Sequence, residues 1–383
     1  MSDGYAIVRY TPEHKNDVVD LQKFLWSPRS DLNRSYLEWK YERNPYLEGP
    51  LIYLALCGGR VVGMRGMLGA KWEAGTPPET FPGICTEDSA IHPDHRGRRI
   101  SSKIMKTFFE ELAARGHRYL YSLTASPVTF MGSLAMGWKN VGPFGLEAFR
   151  SKRAERFRLL RKRMGETRVL WKFADRLPGR RWATRRTPLH ELRDCPAICR
   201  QTDRFRVVLD KSPRPEEMAD LVARMEYDGR IRHVRDREYL SWRFLNPQHR
   251  YLFLYWEEKG LEGYLVLQEY VSEFRPPAQV NIVDWEGTSR EVRAGLLHEA
   301  LGLCPFPDLN IWTATLSEES KSLVEDAGFR PVHDPAAGTK DIPPSLLVRS
   351  LEAGVPATEW ALDGRRMLDM ANWDVRMIYS MNG

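Results

Sequence analysis

The sharpest chemical signal in the chain is the run Thr86-Glu87-Asp88-Ser89-Ala90-Ile91-His92-Pro93-Asp94-His95-Arg96-Gly97-Arg98-Arg99-Ile100-Ser101-Ser102-Lys103. It reads as a strand up to Ile91, stopped by Pro93. A tight turn at Gly97 and a helix follow, the helix burying Ile100, Ile104, Thr107, Phe108 and Leu112. A strand, a basic glycine-containing loop and a helix N-terminus make an anion cradle. Unpaired backbone N–H groups and the helix dipole point at a phosphate, and arginines add forked donors. At about 1.5–3 kcal/mol per hydrogen bond to a charged group, three or four such bonds hold a pyrophosphate firmly. Imidazole titrates near neutrality, yet the place of His92 and His95 in the phosphate-side turn favours a solvent or phosphate contact over proton transfer. His117, behind the helix stop Arg115-Gly116, reads as a C-terminal cap.

The elements that must position this run belong to a repeat. Tyr36-Leu37-Glu38-Trp39-Lys40-Tyr41-Glu42-Arg43-Asn44-Pro45 recurs, one residue shorter, as Tyr239-Leu240-Ser241-Trp242-Arg243-Phe244-Leu245-Asn246-Pro247. The same offset of 203 relates Pro12-Glu13 to Pro215-Glu216, each opening a helix with an acidic first turn. Both copies then run into apolar hairpins, turning at Gly58-Gly59 and near Lys259-Gly260. The chain therefore reads as two copies of one α/β unit, each a mixed sheet finished by a strand–helix–strand–helix segment.

The first copy resembles the GNAT acetyltransferase superfamily. The resemblance lies in Glu87-Asp88-x-Ala90-Ile91-x-Pro93-x-x-Arg96-Gly97-x-x-Ile100, similar to that family's acetyl-CoA strand and loop. It extends to the strand Tyr119–Thr124 and the helix from Ser126-Pro127 to Met136-Gly137-Trp138. The Tyr-Leu-x-Trp string is similar to those of two-domain bacterial GNAT proteins. The fold implied is a duplicated GNAT fold of mixed α/β class, and the activity is transfer of an acetyl or related acyl group from CoA to an amine by direct attack. On this resemblance Ile91, Arg96, Gly97, Arg98, Arg99, Ile100, Ser101 and Ser102 hold acetyl-CoA, with the N–H near Ile91 polarising the thioester carbonyl. Glu87 or Asp88 acts as base, directly or through water. Successive strand residues point to opposite faces, so only one of these two is expected to face the cleft.

Two positions depart from the family pattern. Arg99 stands where a second glycine is usual. It fits at little cost if its φ is negative, or it grips a phosphate itself. Ser133 stands where many members carry a proton-donating tyrosine, so Ser133 or water takes that role, with Tyr119 and Tyr121 as weaker candidates. The second copy ends similarly at Ala327-Gly328-Phe329 but reads Asn281-Ile282-Val283-Asp284-Trp285-Glu286-Gly287 where the cradle would stand. It is expected to keep the fold without a CoA site and to complete the acceptor cleft. Trp242, Trp256, Trp285 and Trp312 either line that cleft or belong to the core.

The chain has 383 residues, 42% apolar and 28% charged, which excludes a largely disordered or low-complexity protein and favours two domains. The boundaries read from it are a GNAT domain at 1–150 and a basic connector at 151–203. A degenerate copy follows at 204–345, and a C-terminal extension packs on both at 346–383. Five cysteines are too few for a disulfide framework, and His190, Cys195 and Cys199 lack a second ligand pair, so no metal is expected. No apolar run is long enough to span a membrane and the first residues lack a secretory pattern, so a cytosolic protein is expected. Of the net charge of +6, the segment Arg150–Arg200 carries +12, leaving −6 elsewhere. That segment is a solvated helix, a membrane-surface helix with Phe157, Leu160 and Trp171 on its apolar side, or a patch for an acidic partner. The acceptor expected is a small amine or amino sugar. The rival readings are a Fem-type aminoacyl-tRNA-dependent transferase, an acyl-carrier-protein-dependent N-acyltransferase, and a non-catalytic binding module.

Overall fold

The computed structural model describes residues 4–123, 127–150, 189, 196–270, 280–303, 308–332 and 342–380. The basic segment and most of the possible zinc ligands lie outside these residues. Among the described residues no helix is long and apolar enough to cross a membrane.

The chain begins with β1 (Tyr5–Arg9), α1 (Lys15–Leu21) and α2 (Ser30–Leu37), followed by a π-helical turn at Glu38–Glu42. The hairpin of β2 (Ile52–Cys57) and β3 (Arg60–Ala74) comes next, then β4 (Glu79–Ile91), α3 (Ile100–Ala114), β5 (Tyr119–Ser122), α4 (Pro127–Ala135), β6 (Lys139–Pro143) and β7 (Leu146–Arg150). The second copy repeats this plan. It comprises β8 (Ala197–Gln201), β9 (Arg206–Asp210), α5 (Pro215–Arg224), β10 (Ile231–His233), α6 (Arg237–Arg243), β11 (His249–Glu257), β12 (Leu261–Tyr270), β13 (Val280–Gly287), α7 (Arg290–Gly302), β14 (Asp308–Trp312), α8 (Glu318–Asp326), β15 (Arg330–Pro331) and β16 (Ser345–Ser350). The expected turn at Gly58-Gly59 forms with φ of +57° and +79°, the left-handed pair a two-residue hairpin requires.

Two sheets result. The first has the order β1-β2-β3-β4-β5-β16-β6 and the second β15-β7-β14-β13-β12-β11-β9-β8. The halves therefore exchange strands. β7, which the sequence places at the end of the first unit, pairs antiparallel with β14. β16, from beyond the second unit's helices, sits between β5 and β6. Strand periodicity specifies a pleated, half-buried segment but not which sheet receives it. β10 adds a further stitch by pairing with β3, and Arg232 reinforces it with an ion pair to Glu73 at 2.6 Å.

The repeated string lies on the pseudo-twofold axis between the halves. Trp39 stacks on Trp242 with ring centroids 4.7 Å apart, and each indole N–H donates to the other's backbone carbonyl, at 2.7 and 2.9 Å. The one-residue difference between copies is also explained. The extra residue of the first copy is absorbed by the π-helical turn, where Arg43 N–H donates to Glu38 O at 2.9 Å. Such single insertions into helices recur at functional sites. Here the turn carries Lys40.

Candidate active site

β4 and β5 run parallel and, among the described residues, pair only at Ile84 with Leu120 and Cys85 with Tyr121. Beyond Cys85 they splay. His92 N–H donates to Val62 O at 2.9 Å, so the alternation of the ladder turns the N–H of Ile91 to the splayed edge. Ile91 O, on that same edge, accepts from Arg96 Nε at 3.2 Å. A donor on this edge can polarise a carbonyl lying in the splay.

The loop after β4 leads into α3. Gly97 has φ +75°, and a Cβ built there meets nothing within 4 Å, so the backbone is open to close approach. The helix starts without a side-chain cap and without an acidic residue in its first turn. Its first intrahelical bond runs from Lys103 N–H to Arg99 O, which leaves the N–H groups of Ile100, Ser101 and Ser102 pointing outward. Arg96, Arg98 and Arg99 are exposed around them, with Arg98 donating to Tyr5 OH at 3.1 Å. The residues present therefore fit a pyrophosphate. His92 and His95 sit in the turn as expected, His95 bonded to Tyr5 OH at 2.9 Å and His92 packed on Phe24.

Arg99 corrects one expectation. Its φ is +57°, the left-handed region that the missing glycine would occupy freely, so the position stores strain. Arg99→Gly is expected to raise stability by about 0.5–1 kcal/mol, whereas Arg99→Ala, which keeps the strain, gives no such gain. Thermal unfolding of the two variants against the parent checks this, and equal midpoints would contradict it.

The carboxylates correct another. Arg65 faces Ser89 and Met67 faces Thr86 across the β3–β4 ladder, so β4 carries one extra residue and bulges at Glu87-Asp88 opposite Gly66. The bulge breaks the alternation and brings both carboxylates to the same ammonium. Lys40 Nζ lies 2.8 Å from Asp88 Oδ1 and 3.4 Å from Glu87 Oε2, with all three side chains essentially without exposure. Asp88 Oδ2 accepts from Trp26 Nε1 at 3.1 Å, and Glu87 Oε1 from the Cys85 thiol at 3.5 Å. The rings of Trp26, Tyr36 and Tyr41 surround the ammonium at 5.1–5.6 Å. Only glycine fits at position 66, because a Cβ there would lie 1.9 Å from Tyr41 OH.

Burial pushes the Glu87 carboxyl above the usual carboxylate range, and Lys40 pulls it part of the way back. Burial works against the charge of Lys40, but Asp88 and Glu87 more than offset it and keep it protonated. Lys40 is the candidate site residue that sequence reasoning missed. Its signal was the odd residue in the repeat.

Ser133 is buried in α4, which packs through Phe130 and Leu134 into the same cluster as α3. It is thus on the other face of the sheet from Lys40, and no hydrogen bond joins it to the carboxylates. Tyr121 stacks on Trp72 at 5.0 Å, and Tyr119 OH bonds to the backbone of Ala361. Trp256 and Trp285 are core of the second half, Trp242 is on the pseudo-twofold axis, and Trp312 stacks on Phe144 at 4.0 Å. All four are buried. A pocket of about 480 Å³ opens beside the loop on the α1 side, lined in part by Asp17, Asp20, Phe24, His92 and Asp94.

The second half has the same splay, since β13 and β14 pair only at Val280–Leu309 and Asn281–Asn310. Its own tail enters there. Met377 and Arg376 line the gap, and Arg243, the counterpart of Lys40, donates to Ile378 O at 2.8 Å and Ser380 O at 3.1 Å. The N-terminus of α7 is capped by Ser289, which accepts from Val292 N–H at 3.2 Å.

A splayed strand pair beside an open helix N-terminus, in a sheet built twice, defines a tandem acyltransferase fold. Residues 7–140 match the model of the acetyltransferase (GNAT) domain. No curated protein matches the sequence. Among solved structures, it is similar to a conserved Enterococcus faecalis protein described as a probable N-acyltransferase, at 12% identity and a TM-score of 0.56 over 91% of this chain and 73% of that one. A tandem GNAT protein of the clavulanic acid biosynthesis pathway aligns at 13% identity and a TM-score of 0.52, over 91% and 99% of the two chains. A GCN5-related N-acetyltransferase of Anabaena variabilis aligns at 10% identity and a TM-score of 0.52, over 91% and 73%.

Proposed function

We propose that the first half binds acetyl-CoA or a related acyl-CoA at the loop 96–102 and transfers the acyl group to the amine of a small molecule or amino sugar. The observation that carries the reading is the uncapped, unacidified N-terminus of α3 beside the β4–β5 splay. The CoA thioester supplies an activated carbonyl. The loop N–H groups and Arg96, Arg98 and Arg99 bind the pyrophosphate, and Ile91 N–H polarises the carbonyl oxygen.

Glu87 takes the proton from the incoming amine, directly or through water. It is better suited than Asp88, whose two oxygens are already held by Lys40 and Trp26. Lys40 positions the pair and does not itself react. The carboxylates and the pocket lined by Asp17, Asp20 and Asp94 suit a cationic acceptor. The second half acts as a scaffold, its splay filled by its own tail and its helix already capped. These two features favour the CoA reading over a binding module only for the first half.

A base with a raised pKa must lose its proton to act, so activity rises with pH through the Glu87 ionisation. Glu87→Gln is expected to lower kcat about 10²-fold or more and to remove that limb of the profile, with CoA affinity retained. Thiol release from acetyl-CoA over an amine panel, read from pH 5 to 9, makes the test. An unchanged profile in Glu87→Gln would assign the proton to another group.

A further inference from the structure

Arg65 has no role in the scheme above and, among the described residues, no side-chain hydrogen-bond or ion-pair contact. It is 8% exposed, no carboxylate of the described residues lies within ion-pairing distance, and its Nε has no hydrogen-bond partner; Glu87 and Asp88 act on it from farther off and do not offset the cost of its burial. Guanidinium does not neutralise itself as a buried lysine can, so an enclosed arginine whose fork touches no carboxylate is costly and gains from an anion brought into contact with it.

The side chain stands on the α3 face of the sheet. Its cross-strand neighbour Tyr53 packs its ring against Phe108 of α3 at 5.8 Å, and residues directly opposite share a face. Two positions earlier, a Cβ on Gly63 would touch Ile91 and Ile100, which are on that face too. On β4 its partner is Ser89, next to the bulge. The bulge thus has its carboxylates and Lys40 on one face of the sheet and the fork of Arg65 on the other, the face carrying the helix whose N-terminus forms the cradle.

We infer that Arg65 receives a carboxylate of the substrate, carried by the acyl donor, so that the enzyme prefers a dicarboxylic acyl thioester such as succinyl-CoA to acetyl-CoA. The inference deepens the proposed function and rests on its placing of the thioester in the β4–β5 splay. The fork of Arg65 pairs bidentately with the distal carboxylate, while the amine arrives from the opposite face.

The test is titration of the full chain with CoA, acetyl-CoA and succinyl-CoA, comparing the parent with Arg65→Met. The parent is expected to bind succinyl-CoA about 30-fold or more tighter than acetyl-CoA, as for a buried charge-assisted pair. Arg65→Met removes the preference and leaves the affinity for CoA itself unchanged. Arg65→Lys keeps the charge without the fork, retains part of the preference, and serves if the methionine variant does not fold.

A second arm measures thiol release from acetyl-CoA with lysine against cadaverine, which lacks its carboxylate. A preference for lysine that Arg65→Met abolishes upholds the carboxylate site but assigns the carboxylate to the acceptor. Normal CoA binding with neither preference overturns the inference alone. No CoA binding by the parent overturns the donor reading, and the role of Arg65 falls with it.

Discussion

Lys40→Met is expected to lower stability by about 3–5 kcal/mol at neutral pH, with much of the loss recovered as the pH falls. The substitution keeps most of the side-chain volume but leaves Glu87 and Asp88 buried together without the ammonium 2.8–3.4 Å away. Burial already raises Glu87 in the parent, and removing Lys40 takes away the main force opposing that shift. The folded variant then binds protons more readily than the unfolded chain does. Stability therefore decreases as pH rises through the folded-state ionisation and is regained below it. Urea unfolding at pH 5 and pH 7.5 reads the difference directly. A loss equal at both values would mean that Lys40 matters through its contacts with Trp26, Tyr36 and Tyr41 rather than through charge.

Removal of the chain from residue 345 onward is expected to abolish cooperative folding of both halves. β5 is tied to β4 by two residue pairs only, and its remaining pairs are with β16. β6 has β16 as its strand partner, and the splay of the second half loses Met377 and Arg376. The first half loses an internal strand and leaves two unpaired edges, a state prone to aggregation. Expression of residues 1–344 followed by circular dichroism during heating provides the check. A soluble product with a sharp transition would contradict the strand exchange. The same exchange predicts that residues 1–150 alone do not fold, since β7 would have no sheet to join.

Much of this architecture is legible in local pattern. The stripe Ile100, Ile104, Phe108 and Leu112 is buried in α3 as its period requires, with Thr107 only half-buried, and the Gly58-Gly59 turn forms where two glycines permit it. Both terminal helices end as read, with Gly137 and Gly328 in the left-handed region and Trp138 and Phe329 buried behind them. What pattern does not carry is tertiary. Nothing in Leu146–Arg150 or Ser345–Ser350 says that they trade sheets.

The site shows the same division. The cradle follows from the order strand, loop and helix, which is local. The pairing of Glu87 with Asp88 depends on a bulge, that is, on the length of β4 relative to β3, and alternation along one strand argues against it. The residue type at position 99 suggests a negative φ, and the turn demands the opposite sign. Lys40 lies within the repeated string of the chain, where the two copies match most closely. The basic position is shared, as Arg243, and what sets Lys40 apart is the extra residue taken up by the turn that carries it.

The central claim is that the loop after β4 is a CoA site, and titration of the purified chain with acetyl-CoA, with Gly97→Asp as control, tests it most directly. Position 97 has open space around it but a φ of +75° that strains any side chain. Gly97→Ala shares the strain and is expected to keep binding, so it isolates the effect of the carboxylate that Gly97→Asp places against the pyrophosphate. The account predicts a dissociation constant in roughly the micromolar range for the parent and no measurable binding by Gly97→Asp. Absence of binding by the parent, or equal binding by both, would contradict it.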